Sequence, residues 1–405
     1  MKVVTDPQKI KEVLERSIAS ILPSEDALLA RMREGKRLRF YTGADPTGPE
    51  LHIGNATNFI FLEKIRALGH EVIVLFGDFT AMIGDPTGKD ATRKRLNPKE
   101  VKENIKTWKN QAGKVLDFET KKNPAKVMLN STWHKKLRFE DVVELASHFT
   151  VQQMLERDMF QRRLESKKPI YLHEFFYPLM QGYDSVAMDV DVEVGGTDQT
   201  FNMMVGRTLQ KIYNNKEKFV ITTALLEDPK TGEKLMNKSE GKYIALNDSP
   251  EEMFGKTMAL PDSVIVNVFR DSTYASRETI DVVKKKLEEG ANPRDHKMHL
   301  AYEVVRTYYD EKAAQNAREN FSKTFQKGGT PHTIQEVAVE RQSNLCDILL
   351  RAGIVKSKTE FRRLLEAGAI SIPKTKETIR DANYKMEESA EFRVGKKRFI
   401  RLFVR

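Results

Sequence analysis

A single cysteine, Cys346, stands among the 405 residues. That excludes an intramolecular disulfide and any zinc site built from a cysteine cluster, so no protein-bound zinc is expected. Long apolar runs are also missing. None approaches the roughly 18 residues that a membrane span needs, and no membrane partner is expected. The first residues, Met1-Lys2-Val3-Val4-Thr5-Asp6, turn polar at once. This gives no secretory signal and makes the cytoplasm the expected location. With 40% hydrophobic and 31% charged residues, the chain has enough apolar material to bury a core. Its length suggests two to four domains at about 100–200 residues each.

Balanced charge is lacking as well. The formal net charge is +10, and residues 343–405 alone hold 15 Lys and Arg against 8 Asp and Glu, a net of +7. A basic segment that compact is either a solvated tail or a polyanion-binding module, and charge alone leaves both open.

The N-terminal part reads as an α/β unit. Leu38–Thr42 alternates like a strand and ends at Gly43. Ala56–Leu68 repeats apolar residues at helical spacing before Gly69. Val72–Phe76 is a short buried-strand run. Strand, helix and strand in that order predict a parallel crossover and a doubly wound sheet. Residues 98–176 read as a charged helical insertion with few strand signals. Strand patterns return at Val186–Val194 and Phe219–Leu226, and helical periodicity dominates 250–325. Gly328-Gly329-Thr330-Pro331 reads as a linker. Beyond it, Leu345–Ala352 and a helix capped by Ser357 precede the strands Ile370–Ile372 and Arg398–Val404.

Five segments can carry chemistry. Asp45-Pro46-Thr47-Gly48-Pro49-Glu50-Leu51-His52-Ile53-Gly54-Asn55 lies between the first strand and the first helix, where open α/β sheets bind ligands and a helix N-terminus suits phosphate. His52 and Asn55, three apart, can face one anion; the alternative is an ordinary polar loop with Asn55 as a capping residue. Ile83-Gly84-Asp85-Pro86-Thr87-Gly88-Lys89 resembles half a P-loop but lacks its spacing; it reads as a polar loop presenting Asp85 and Lys89. Tyr177, Gln181 and Asp184 fall on one helical face. Gly195-Gly196-Thr197-Asp198-Gln199 ends a strand, and Asp198 is placed to take a ribose diol. Lys234-Leu235-Met236-Asn237-Lys238-Ser239-Glu240-Gly241-Lys242 is a Lys-rich, Gly-flanked loop suited to phosphate, or simply a solvated one.

Together these residues resemble a known family. His52-Ile53-Gly54-Asn55 is similar to the H-I-G-H signature of class I aminoacyl-tRNA synthetases, and Leu235–Ser239 to their K-M-S-K-S loop, in the right order. Tyr41–Thr47, Ile83–Lys89, Gln181–Asp184 and Gly195–Gln199 resemble the bacterial tyrosyl-tRNA synthetases, and residues 343–405 their S4 RNA-binding domain. The resemblance implies a Rossmann-like catalytic domain (1–228) with a helical, dimer-forming insertion at about 100–180. A mobile Lys-rich loop and an α-helical anticodon-binding domain (229–328), a linker (329–342) and a small α+β S4-like domain (343–405) would follow.

It also implies activation of L-tyrosine by ATP, with Mg²⁺ on the phosphates, transfer to tRNA(Tyr), and a homodimer. Tyr41 and Asp184 would bind the phenol. Asp85, Tyr177 and Gln181 would hold the ammonium, with Gln199 near the carboxylate and α-phosphate. Gly43, Asp45, Gly54, Asn55, Gly196, Asp198 and Met236 would line the ATP site. Thr47, His52, Lys89, Arg93, Lys234, Lys238 and Ser239 would meet the phosphates, neutralising charge in the transition state. Lys358, Arg362 and Arg363 would touch tRNA. Three departures stand out: Asn55 for the last His of the signature, and Leu235 and Asn237 for Lys and Ser in the loop. The rivals are the tryptophanyl enzyme, an RNA-binding protein without activity, and a small-molecule nucleotidyltransferase.

Overall fold

The computed structural model describes residues 2–85, 97–323, 335–375, 377–395 and 398–404, with the side chains of Asp158 and Ser239 left aside. Lys89, Arg93 and the expected linker Gly328–Pro331 lie outside the described residues. The chain divides into two compact units, Met1–Glu311 and Lys312–Arg405.

The first unit is organised by a six-stranded sheet. Its strands are β1 (Ile18–Leu22), β2 (Arg39–Ala44), β3 (Glu71–Phe76), β4 (Lys126–Leu129), β5 (Val192–Gly196) and β6 (Phe219–Thr223), in spatial order β1-β6-β5-β2-β3-β4. All neighbours are parallel except the β1–β6 edge. The central strands Val72–Phe76 and Phe219–Thr223 are buried, which is why they read as near-continuous apolar runs. From β2 the chain moves to β3 and β4 on one side, while β5 and β6 lie on the other. The switch point is therefore between β2 and β5. These two strands pair only at Phe40↔Val192 and Tyr41↔Glu193, so a crevice opens just beyond Tyr41 and Glu193.

The helix Ile53–Ala67 returns the chain from β2 to β3, and Gly69 turns it at φ 97°. The helix Pro98–Ala112 starts from an Asn97 cap reciprocated by Glu100. Helices then cover residues 250–308. Among the described residues, no helix is long and apolar enough to cross a membrane.

Three strand expectations are corrected. Val186 belongs to the helix Phe176–Ala187, and the strand expected at Val186–Val194 begins only at Val192. Val186 continues the helix's apolar stripe, and Asp189 in the left-handed region (φ 46°) makes the turn. The strand expected at Phe219–Leu226 ends at Thr223. The insertion also contains a strand: β4 is four residues long and pairs only with β3, so its alternation is too brief to register. The edge strand β1 escapes the sequence reading for the same reason.

The second unit holds the helices Leu345–Arg351 and Lys358–Glu366 against a five-stranded sheet: β7 (Gln335–Val339), β8 (Ile370–Ile372), β9 (Glu377–Thr378), β10 (Ala390–Val394) and β11 (Arg398–Val404), ordered β7-β11-β10-β8-β9. Ser357 caps the second helix by accepting from the Glu360 amide at 3.1 Å. Leu349, Phe361, Phe392, Ile400 and Leu402 form the core, as the alternation of the last strand predicts. Lys358, Arg362 and Arg363 are exposed along one helix.

Candidate functional site

A cleft of about 440 Å³ occupies the crevice at the carboxyl ends of β2 and β5. Of the predicted residues, Gly43, Asp45, Thr47, His52, Gly54, Asn55, Asp85, Tyr177, Gln181, Asp184, Gly196, Asp198, Gln199, Lys234, Met236 and Lys238 all line it. Tyr41 does not. It is fully buried, and its hydroxyl lies 3.0 Å from Ser185 Oγ. Burial, with Glu193 and Asp184 nearby, raises its pKa well above the ordinary phenol value.

One end of the cleft is acidic. Asp184 is buried, and its Oδ1 accepts from Trp133 Nε1 and His134 Nε2, each at 2.7 Å. Its Oδ2 lies 3.4 Å from Asn130 Nδ2. Burial pushes its pKa up, while these donors oppose the shift. Tyr177 donates to Asp45 Oδ2 at 2.9 Å, and Thr80 Oγ1 donates to Asp45 Oδ1 at 2.7 Å. A Cβ on Gly77 would sit 2.1 Å from Asp45 Oδ1 and 2.2 Å from Thr80 Oγ1, so only glycine leaves room for that bond. Gln199 Nε2 donates to Asp85 Oδ2 at 3.0 Å, and the buried Arg157 lies 4.0 Å from Asp85 Oδ1.

The other end is built on a helix N-terminus. His52 Nδ1 accepts from the Asn55 amide at 3.2 Å, and Asn55 Oδ1 accepts from the His52 amide at 3.1 Å. The two side chains thus form a reciprocal cap, the capping role that the sequence left open for Asn55, here shared with His52. Nδ1 as acceptor places the imidazole proton on Nε2. Burial first, then the Lys238 charge, lowers the His52 pKa from 6.5 to about 4. His52 is therefore a neutral donor at pH 7. His52 thus stands at this end as a donor through Nε2, beside the cations Lys234 and Lys238 that line the same cleft.

The Lys-rich loop folds onto this end. Ile53 N donates to Ile244 O at 3.1 Å and Leu246 N to Leu51 O at 2.9 Å. Lys238 Nζ donates to Glu50 O and lies 5.7 Å from the Trp108 ring centre. Asn237, one of the departures from the signature, closes the turn: its N donates to Lys242 O at 2.8 Å and its Nδ2 to Glu240 Oε1 at 3.0 Å. Lys234 offsets part of the burial that raises the Asp198 pKa.

Sequence reasoning missed the groups that hold these residues. Asn104, Thr107, Trp108 and Gln111, at i, i+3, i+4 and i+7 of the helix Pro98–Ala112, bond the carbonyls of Pro46, Gly48 and Pro49 at 2.7–2.9 Å. That polar stripe was a legible signal. Trp133, His134 and Arg157 carried none.

Comparison with known proteins gives the family. A family model described as tRNA synthetases class I (W and Y) matches residues 33–326. The Tyrosine--tRNA ligase of Carboxydothermus hydrogenoformans is 44% identical, covering 96% of this chain and 97% of the relative. That of Thermotoga maritima is 41% identical, covering 98% of each. A C-terminally truncated Aspergillus nidulans mitochondrial tyrosyl-tRNA synthetase shares the fold at TM-score 0.67 and 22% identity, covering 79% of this chain and 94% of that one. The chain belongs to the class I tRNA synthetases of the tryptophan and tyrosine group, and within it to the tyrosine--tRNA ligases.

Proposed function

We propose that the cleft joins L-tyrosine to ATP, giving tyrosyl-adenylate and pyrophosphate, and then passes the tyrosyl group to a ribose hydroxyl at the 3′ end of tRNA(Tyr), releasing AMP. The observation that carries this reading is the polarity of one cleft. A buried, donor-braced carboxylate, Asp184, stands at one end, and a helix N-terminus with His52, Lys234 and Lys238 at the other.

The phenol donates to Asp184, with Tyr41 closing that end. Asp85, Tyr177 and Gln181 receive the ammonium, and Gln199 lies by the carboxylate. Gly43, Asp45, Gly54, Asn55, Gly196, Asp198 and Met236 border the nucleotide. Mg²⁺ enters as part of the nucleotide substrate. The attacking carboxylate is already ionised, so the first step needs no general base. What it needs is alignment of carboxylate, α-phosphorus and pyrophosphate, and donors where charge builds. His52 Nε2–H, Lys234 and Lys238 suit that, with Thr47, Lys89, Arg93 and Ser239 as the remaining phosphate contacts.

The helical part of 229–328 reads the anticodon region, and 343–405 acts as an S4-like RNA module through Lys358, Arg362 and Arg363. A homodimer forms through the insertion. Phe139, Val143, Val151 and Leu172 support this, lying 53–84% exposed within about 35 residues, more apolar surface than a solvated face needs. Incubation with tyrosine and MgATP followed by rapid gel filtration tests the reading: a bound tyrosyl-adenylate is expected, and its absence contradicts the proposal.

A further inference from the structure

Under the amino-acid end of the cleft lies an ion pair that no motif announces. Lys218 is 0% exposed and Glu193 2%. Lys218 Nζ donates to Glu193 Oε2 and, at 2.8 Å, to Ser185 Oγ, which lies 3.0 Å from the Tyr41 hydroxyl. The backbone is shaped around this ammonium: a Cβ on Gly206 would sit 2.5 Å from Lys218 Nζ and 2.9 Å from Ser185 Oγ. A buried ion pair is weak support for stability, because desolvation offsets most of the attraction. Its bonds point to another role.

A carboxylate only accepts. Glu193 Oε1 therefore takes Gln181 Nε2 at 3.0 Å, which turns Gln181 Oε1 to Asn202 Nδ2 at 2.9 Å. At the far end Asp85 Oδ2 takes Gln199 Nε2 at 3.0 Å, which turns Gln199 Oε1 to the same Asn202 Nδ2 at 3.1 Å. Two terminal carboxylates and one shared amide thus fix which atom each glutamine shows. A flipped Gln181 would set its carbonyl against Glu193 and its amide hydrogens against those of Asn202.

We propose that the Lys218–Glu193 pair and Asn202 are positioning residues for the amino-acid substrate. They hold Gln181 with its carbonyl as an acceptor for the ammonium, and they hold the Tyr41 hydroxyl through Ser185 at the phenol end. The inference rests on tyrosine lying at the Asp184 end of the cleft.

The test is tyrosine-dependent ATP–pyrophosphate exchange by the full-length enzyme carrying Lys218→Met with Glu193→Gln, a pair that leaves no unpaired buried charge. Asp184→Asn serves as the reference. The double variant should raise KM for tyrosine roughly tenfold, the loss expected of one charge-assisted hydrogen bond. KM for ATP and kcat should stay within about twofold. Asn202→Asp, nearly isosteric, sets an acceptor against both glutamine carbonyls and should raise the same KM by a similar factor; it gives the answer if the double variant does not fold. An unchanged tyrosine KM in these variants, with Asp184→Asn impaired, overturns the positioning role. If Asp184→Asn is also unaffected, the placement of tyrosine falls, and this inference with it.

Discussion

His134 Nε2 lies 2.7 Å from Asp184 Oδ1, with both residues buried at 4% exposure. Trp133 meets the same oxygen, while Asn130 Nδ2 approaches the other at only 3.4 Å, so Asp184 is braced chiefly from one side and Oδ2 keeps room to accept a shorter bond. Phenylalanine would leave that acceptor buried with only the long Asn130 contact, a situation that disfavours binding more than a lost surface contact does. Asp184→Asn is expected to raise KM for tyrosine roughly 10- to 100-fold and to narrow the preference for tyrosine over phenylalanine. Steady-state exchange kinetics with both amino acids measure this.

His52 joins two jobs, capping a helix and presenting Nε2–H. His52→Asn keeps a good cap residue and removes the donor. Its kcat for adenylate formation should fall roughly 10²–10³-fold, as for other lost transition-state donors, with little change in melting temperature. Single-turnover kinetics and thermal melts separate the two effects.

The same burial has a pH signature. His52 and His70 are both lowered from 6.5 to about 4, chiefly by burial, and His70 Nδ1 accepts from the Leu38 amide at 3.2 Å. Between these values the unfolded chain binds protons that the folded one does not. Their contribution to stability is therefore full above about pH 6.5 and declines toward pH 4, by about 2 kcal/mol per histidine near pH 5. Melts from pH 7.5 to 4.5 should show this decline, with a shallower slope in His52→Asn.

The doubly wound sheet and the shared helical face were legible from local pattern, and most of the cleft lining from the family resemblance. Val72–Phe76 is a central strand, and Tyr177, Gln181 and Asp184 share a helical face. The edge strands β1 and β4 were not, since a few residues on an edge carry little periodicity. Nor were the residues that support the site. Trp133, Arg157 and Lys218 come from distant parts of the chain, and only the folded contacts bring them to Asp184, Asp85 and Glu193. Glu193 left a faint trace, a charge in an otherwise apolar strand.

The insertion should bring two copies together. Phe139 and Leu172 are 84% and 73% exposed. Phe139→Asp with Leu172→Asp is expected to convert a dimer of twice 46.5 kDa to the monomer, as read by multi-angle light scattering. Wild type already at the monomer mass would contradict the assignment.

The most direct measurement is ATP–pyrophosphate exchange by the purified enzyme with tyrosine, phenylalanine and tryptophan in turn. Exchange that depends on tyrosine, and is far weaker with the other two, is the expected result. No exchange with tyrosine, or faster exchange with tryptophan, would contradict the account of the cleft as a tyrosine-activating site.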